Sequence, residues 1–227
     1  VVHWQRIGFV HGVLNTDNTS ILGLTIDYGP YGWLEGFDFD WTPNTTDREF
    51  KRYRFGTQPE VLQWNLFKLA NALYPLIEEA TGLETILGDY EKRYVVKYNK
   101  MMRSKLGLMK TQPEDSILIK DLERILHLTE TDMTIFFRNL SQFKPENASE
   151  GIEIISDAFY TPSDLSGVIS KQWNEWFEAY SKQLQVESIS LKERSDRMNK
   201  VNPKYVLRNY MAQLAIEAAD KGDYTLI

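Results

Sequence analysis

Residues 11–30 read HGVLNTDNTSILGLTIDYGP. Two oxygen-bearing residues, Asn18 and Asp27, flank the run from Thr19 to Ile26. That run is β-branched and aliphatic on both sides of Gly23, so it reads as two short strands around a reversal. A hairpin brings its ends together, so the nine-residue separation of Asn18 and Asp27 permits a shared ion. Gly29 lets the backbone turn sharply after Asp27 and approach a ligand closely.

Outward from this stretch, the pattern is helical. Residues 1–10 read as the end of a helix feeding a loop, and Tyr28 to Asp47 as an ordered loop packed by its aromatics. At Thr57 the character changes. Thr57 and Glu60 can form a capping box, and Pro59 is tolerated in a first turn. Leu62, Leu66, Leu69, Leu73 and Leu76 then recur at helical spacing and predict one buried face, with Gly82 as the stop. A second helix is expected from Leu83 to Leu106, ended by Gly107, with Tyr90, Tyr94, Tyr98 and Met101 or Met102 on one side. Further helical patterns cover about 115–127, 130–141, 151–159 and 163–185, with a polar loop from Lys144 to Gly151. Asn202-Pro203 restarts the chain before a last helix from about Pro203 to Lys221, capped by Gly222. The expected fold class is mainly α with a small β-hairpin region, in a single domain over residues 1–227.

Composition narrows the function. The chain has 227 residues and a net charge of −6, which gives no bulk reason to expect nucleic acid or an anionic membrane as partner. It has no cysteine, which excludes disulfides, thiolate metal sites and a cysteine nucleophile here. No apolar run reaches the ~18 residues of a transmembrane helix. The opening VVHWQRIGFVHG lacks an initiator Met and lies inside a structured pattern, so the chain reads as a piece of a longer protein. The sequons at Asn44 and Asn147 are read as chance matches.

Asn18 and Asp27 suit magnesium, a hard cation that takes carboxylate and amide oxygens while bridging nucleotide phosphates. Protein kinases supply an Asn from the catalytic loop and the Asp of an Asp-Phe-Gly turn, of which Asp27-Tyr28-Gly29 is a close variant. The kinase loop places its base Asp five residues before that Asn. Here that position is Val13, which takes no proton, and Asp17 is the nearest replacement. The kinase template by itself would make this a pseudokinase. An isolated Asn and Asp flanking a hairpin are usually turn residues, but the order His-Gly, Asn-Thr-Asp-Asn, strands, Asp-Tyr-Gly-Pro favours function. His11 is expected to hydrogen-bond the loop backbone and Asn15 to cap the loop. His3 and His127 have no partners at ligand spacing. Lys92-Arg93 and Lys100 to Lys105 read mostly as a solvated basic helix face, with an acidic partner as the alternative.

The stretch HGVLNTDNTSILGLTIDYGPYGWLEGFD resembles the signature block of the selenoprotein O family of protein adenylyltransferases. The resemblance continues through Tyr53-Arg54-Phe55 and Gln58-Pro59 into WNLFKLANAL at 64–73, and returns in NPKYVLRNYMAQLAIEAADKGDY near the end. The resemblance implies a protein-kinase-like fold, with this chain as the C-terminal lobe plus a helical extension. It implies ATP bound in reversed orientation and AMP transferred to Ser, Thr or Tyr hydroxyls of protein substrates. Carried onto this sequence, Asp17 would accept the proton, and Asn18 and Asp27 would hold Mg2+, with Mn2+ as a substitute. Asp27 would also lie against the nucleotide. The family's glycine-rich segment, lysine and phosphate-holding arginines would lie before Val1. Its C-terminal selenocysteine or cysteine has no counterpart up to Ile227. The 227 residues alone are therefore expected to bind ATP poorly and transfer little AMP. The competing readings are a hydroxyl-directed phosphotransferase and a nucleotide-binding pseudokinase scaffold. The expected setting is a bacterial cytoplasm, or a mitochondrion in a eukaryote.

Overall fold

The chain enters through a short helix, α1 (Val2–Ile7), which ends at Gly8 and feeds strand β1 (Phe9–Val10). The computed structural model describes residues 1–227. β1 pairs antiparallel with β2 (Gly32–Trp33), Phe9 opposite Trp33 and Val10 opposite Gly32. After residue 57 the α-helices are α2 (Gln58–Ile77), α3 (Thr81–Leu106), α4 (Asp115–Leu126), α5 (Met133–Leu140), α6 (Gly151–Ile154), α7 (Gly167–Gln185), α8 (Leu191–Val201) and α9 (Asn209–Ala219). No helix is long and apolar enough to cross a membrane.

The core lies where α4, α5 and α7 meet the end of α3. On α7 the side chains of Trp173, Trp176, Phe177, Tyr180 and Leu184 recur at helical spacing and are all buried. They pack against Phe136 of α5 and Phe143 beyond it. Burying each such side chain contributes about 1.5–3 kcal/mol. Two polar tips within the cluster find backbone partners. Trp176 Nε1 donates to Leu118 O at 3.0 Å, and Tyr180 OH donates to Leu106 O at 2.6 Å. α3 ends at Gly107, whose φ of 70° is left-handed. A Cβ there would lie 2.7 Å from Arg194 Cγ and 2.8 Å from Met198 Sδ. Gly107 thus serves both the turn and the close approach of α8.

Several expectations need correction. Thr19 to Ile26 forms no pair of strands, only a single antiparallel bridge between Thr19 and Thr25. Its tip is a tight turn, with Gly23 N–H bonded to Ser20 O at 3.1 Å, and Ile21, Leu22 and Leu24 face solvent. With no layer to pack against, branched residues do not by themselves build a ladder. Thr57 makes no capping box. Its hydroxyl donates to the carbonyls of Arg52 and Arg54, and its backbone is already helical. α2 ends at Glu78 rather than Gly82, which lies in the first turn of α3. Lys105 is not solvated: it is fully buried, with Nζ donating to Arg6 O at 2.6 Å and lying 3.8 Å from the Phe137 ring centre. Burial holds its ammonium well below the ordinary lysine range. Helix α8 was unforeseen, although Ser190 caps it by accepting from Glu193 N at 3.2 Å. The last helix starts at Asn209, not Pro203: residues 203–208 are irregular, and Arg208 and Asn209 are held by Asp132 and the Trp33 backbone.

The largest correction concerns α2. The leucine stripe is not its buried face: Leu62 and Leu66 are half-buried, while Leu69, Leu73 and Leu76 are exposed. The buried face is instead the one bearing Gln58, Val61 and Asn65. Periodicity located the helix and misassigned its inward side.

Gly107→Ala should lower stability by more than about 1 kcal/mol in a urea melt, because both the backbone and α8 must yield. Gly88→Ala, in the middle of α3 with nothing near a new Cβ, should instead raise it by about 0.5–1 kcal/mol. Equal effects would remove the close-approach argument.

Candidate active site

The buried polar face of α2 lies against loop backbone. Gln58 spans two residues of the chain after α1: its Nε2 donates to Phe9 O at 3.0 Å and its Oε1 accepts from His11 N at 3.0 Å. Two turns along the helix, Asn65 Nδ2 lies within bonding distance of three acceptors. These are Leu14 O at 3.0 Å, Asn15 O at 3.3 Å and Thr19 Oγ1 at 2.8 Å. From the other side Asn44 Nδ2 donates to Gly12 O at 2.9 Å, and Asn18 Nδ2 donates to Val13 O at 2.8 Å. So the carbonyls of Phe9, Gly12, Val13, Leu14 and Asn15 all accept from side-chain amides. Backbone with no ladder or helix of its own must find such partners when buried. Tyr53 adds a further tie, donating its hydroxyl to Asn15 Oδ1.

This frame sets the three candidate residues. Asn18 stands one position before the Thr19–Thr25 bridge and Asp27 two positions after it, so the bridge brings the two limbs together. Trp4 Nε1 fixes the second limb by donating to Thr25 Oγ1 at 3.1 Å. Asn18 is half-buried, and the Nδ2 bond turns its Oδ1 away from Val13. Asp17 and Asp27 are exposed, and neither carboxylate has an ion-pair partner in the protein. Asp27 has a left-handed φ of 48°, a conformation that costs most side chains about 1–2 kcal/mol and that Asp tolerates better than most. Such an outlier marks a position held by its surroundings.

His11 does the holding. It is fully buried and its Nε2 bonds to Ile26 O at 2.8 Å, one residue before Asp27. As expected of it, His11 ties backbone rather than performing chemistry. A donor Nε2 leaves Nδ1 unprotonated, in keeping with its lack of a partner. Burial lowers the His11 pKa, outweighing the bond to Ile26 and the nearby Asp27 charge. The Tyr28 ring packs edge-on against His11 and Phe9, with centroids 6.3 and 6.0 Å away. Gly12, at φ 80°, passes so close to the Pro30 carbonyl that any side chain would collide with it. The strand and the Asp-Tyr-Gly-Pro turn are thus packed back to back.

The site offers oxygen donors, from one amide and two carboxylates, on a loop held from beneath. No cluster of three or more His, Cys, Asp or Glu stands ready to enclose a metal. Two protein oxygens with phosphate and water completing the shell is a common magnesium arrangement. Sequence reasoning missed Gln58, Asn65 and Asn44. The first two sit in the quoted blocks Gln58-Pro59 and WNLFKLANAL, but α2 also carries Gln63, Lys68 and Asn71, so residue type alone did not single them out.

His11 gives a pH dependence with a definite sign. Its folded pKa lies below the unfolded value of about 6.5, so the unfolded chain binds the proton more readily. Its contribution to stability is complete above that pH and lost as pH falls below it. Acidification from about pH 7.5 to 5.5 should therefore lower the melting temperature less in His11→Gln than in the unaltered protein. Identical slopes would contradict a neutral, buried His11.

Comparison with known proteins bears on this loop and its frame. The family model described as "Protein adenylyltransferase SelO" matches residues 1–227. The chain is 57% identical over 228 residues to the protein nucleotidyltransferase YdiU of Flavobacterium johnsoniae, covering 100% of this chain and 44% of the relative. It is 47% identical over 239 residues to the YdiU of Rhodopirellula baltica, again covering 100% and 44%. With the YdiU of Aromatoleum aromaticum it shares 48% over 227 residues, covering 100% and 43%. The chain thus spans less than half the length of these curated relatives. On this similarity over its whole length, the chain belongs to the SelO family of protein adenylyltransferases.

Proposed function

We propose that this chain carries the catalytic loop of a protein adenylyltransferase, active in a polypeptide of full family length, that moves AMP from ATP to Ser, Thr or Tyr hydroxyls of proteins. The observation that supports the reading is the Thr19–Thr25 bridge, which draws together the two limbs that carry Asn18 and Asp27, with the Asn18 Oδ1 and the Asp27 carboxylate free of ion pairs. Family membership supports it, as does the exposure of Asp17, which a protein side chain could reach. The fold is read as the C-terminal lobe of a kinase-like protein with a helical extension, in a bacterial cytoplasmic setting.

Asn18 Oδ1 and Asp27 would hold Mg2+ or Mn2+, with Asp27 also against the nucleotide. The donor set fits, being hard oxygens free of other protein partners. When bound, the metal neutralises charge on the phosphates and the leaving pyrophosphate. Asp17 accepts the proton of the substrate hydroxyl. The hydroxyl oxygen bonds to the α-phosphorus, and the bond from that phosphorus to the oxygen bridging to the β-phosphate breaks. Pyrophosphate departs with the electron pair. His11 orients Asp27 and the amides beneath the loop orient Asp17 and Asn18, and such positioning supplies much of the rate.

The test uses the full-length protein with ATP labelled in turn at the α- and γ-phosphate. Label on protein from the α-position alone is expected, and Asp17→Ala should reduce it by about 10²-fold or more. Asp27→Asn, which keeps the tolerance for the left-handed backbone, should reduce it severely without lowering the melting temperature appreciably. Label from the γ-position alone would make the enzyme a phosphotransferase and overturn the reading.

A further inference from the structure

Helices α1, α2, α3 and α8 leave between them a groove of about 800 Å3. Its bed is apolar and aromatic, with Leu66, Ile86, Tyr90, Tyr94 and Met101. Its rim is cationic, with Arg93, Lys97 and Lys100 along α3 and Lys200 on α8. No carboxylate lines it, although the chain as a whole has a net charge of −6. None of these four cations has an ion-pair partner. Arg93, Lys97 and Lys100 are spaced four and three apart and so share one helix face. Surface lysines are usually interspersed with acids. An unbroken cationic wall over an apolar bed favours an anionic, amphipathic complement.

Four observations narrow the occupant. The walls are helices whose backbone groups are internally bonded, so a strand would find no edge to join, whereas a helix can pack by its side chains. The α3 residues lining the groove run from Ile86 to Ser104, about 27 Å of helix, room for about five turns. A second copy presenting the same face would set cations against cations, which disfavours a two-fold dimer here. Finally, relatives align with all of this chain over only 44% of their own length, so the family polypeptide has ample further sequence to supply a helix. The path is marked by α1. Arg6 lies beside Lys105 and the Val1 nitrogen beside Lys97, so α1 runs parallel to α3 and its first residues reach into the groove. On α2, Trp64, Phe67 and Leu73 are also left exposed. Apolar faces of this extent mark contact surfaces.

We infer that the groove seats a helix from the part of the family polypeptide outside these 227 residues, running along α3. Its apolar face would lie on Tyr90 and Tyr94, and its acidic side chains against Lys97 and Lys100. This inference stands apart from the AMP-transfer reading, since its test reads accessibility and stability rather than activity.

The test uses the full-length protein. The 227 residues contain no cysteine, so peptide-level mass spectrometry reads an introduced thiol here without background from this segment. Ile86→Cys reports on the groove and Val168→Cys on a distant exposed site, the native residues being 64% and 70% exposed in this chain. Maleimide should label Val168→Cys readily and Ile86→Cys several-fold more slowly, in protein shown to be monomeric. Adding Lys97→Glu and Lys100→Glu should restore labelling at Ile86→Cys and lower the melting temperature. Equal labelling of both thiols would mean an open groove available to an outside partner, and would overturn the inference. So would protection seen only in a dimer. Protection indifferent to charge reversal would overturn the acidic complement.

Discussion

The structure around the candidate site depends on one constraint: a buried, irregular segment of backbone must satisfy its carbonyls. Residues 9–15 belong to no helix, and only Phe9 and Val10 belong to a strand. Each carbonyl left without a partner would cost about 1–3 kcal/mol. Side-chain amides from Gln58, Asn65, Asn44 and Asn18 meet that demand. Two of them come from α2, which explains why that helix buries a polar face and leaves its leucines outside. The cost of immobilising the loop is thus met inside the scaffold, while Asp17 and Asp27 stay uncommitted at the surface.

The remainder of the fold supports this arrangement from behind. α1 leads into the loop, and Lys105 holds the last turn of α1 through Arg6 O while resting on Phe137 of the core. From the other end of the chain, Asn209 both donates to and accepts from the backbone of Trp33 in β2, and Arg208 pairs with Asp132 at 2.7 Å. The late segment quoted in the family resemblance is therefore stapled to the strand that continues from the Asp-Tyr-Gly-Pro turn. Sequence blocks far apart in the chain meet at one place.

What was legible in the sequence follows from the physics of each signal. α3, α4, α5 and α7 were placed well because apolar spacing and Gly107 report local backbone and burial together, although α5 was begun at 130, before its Asp132 cap. The aromatic packing of the loop after Asp27 was legible for the same reason, as Tyr28, Tyr31 and Trp33 form a chain of edge-on contacts. The Thr19–Ile26 hairpin was overdrawn, since strand propensity without a packing layer yields a turn closed by one bridge. The α2 face was misread because periodicity counts apolar residues, whereas this helix answers a demand from loop carbonyls that no local pattern encodes. The capping Ser190-x-x-Glu193 was legible and overlooked. The roles of Asn65 and Gln58 were not, because an amide's partners are set by tertiary placement.

The most direct measurement is Mn2+ affinity in the presence of ATP, read by electron paramagnetic resonance, for the full-length protein with and without Asn65→Ala. Asn65 is remote in sequence from Asn18 and reaches the loop only through its hydrogen bonds at Leu14, Asn15 and Thr19. Looser Mn2+ binding with unchanged helical content is the expected result, since the oxygens proposed to hold the metal would lose their fixed placement. Affinity equal to that of the unaltered protein would show that the loop needs no amide support from α2, and would contradict the dependence of the site on its buried polar frame.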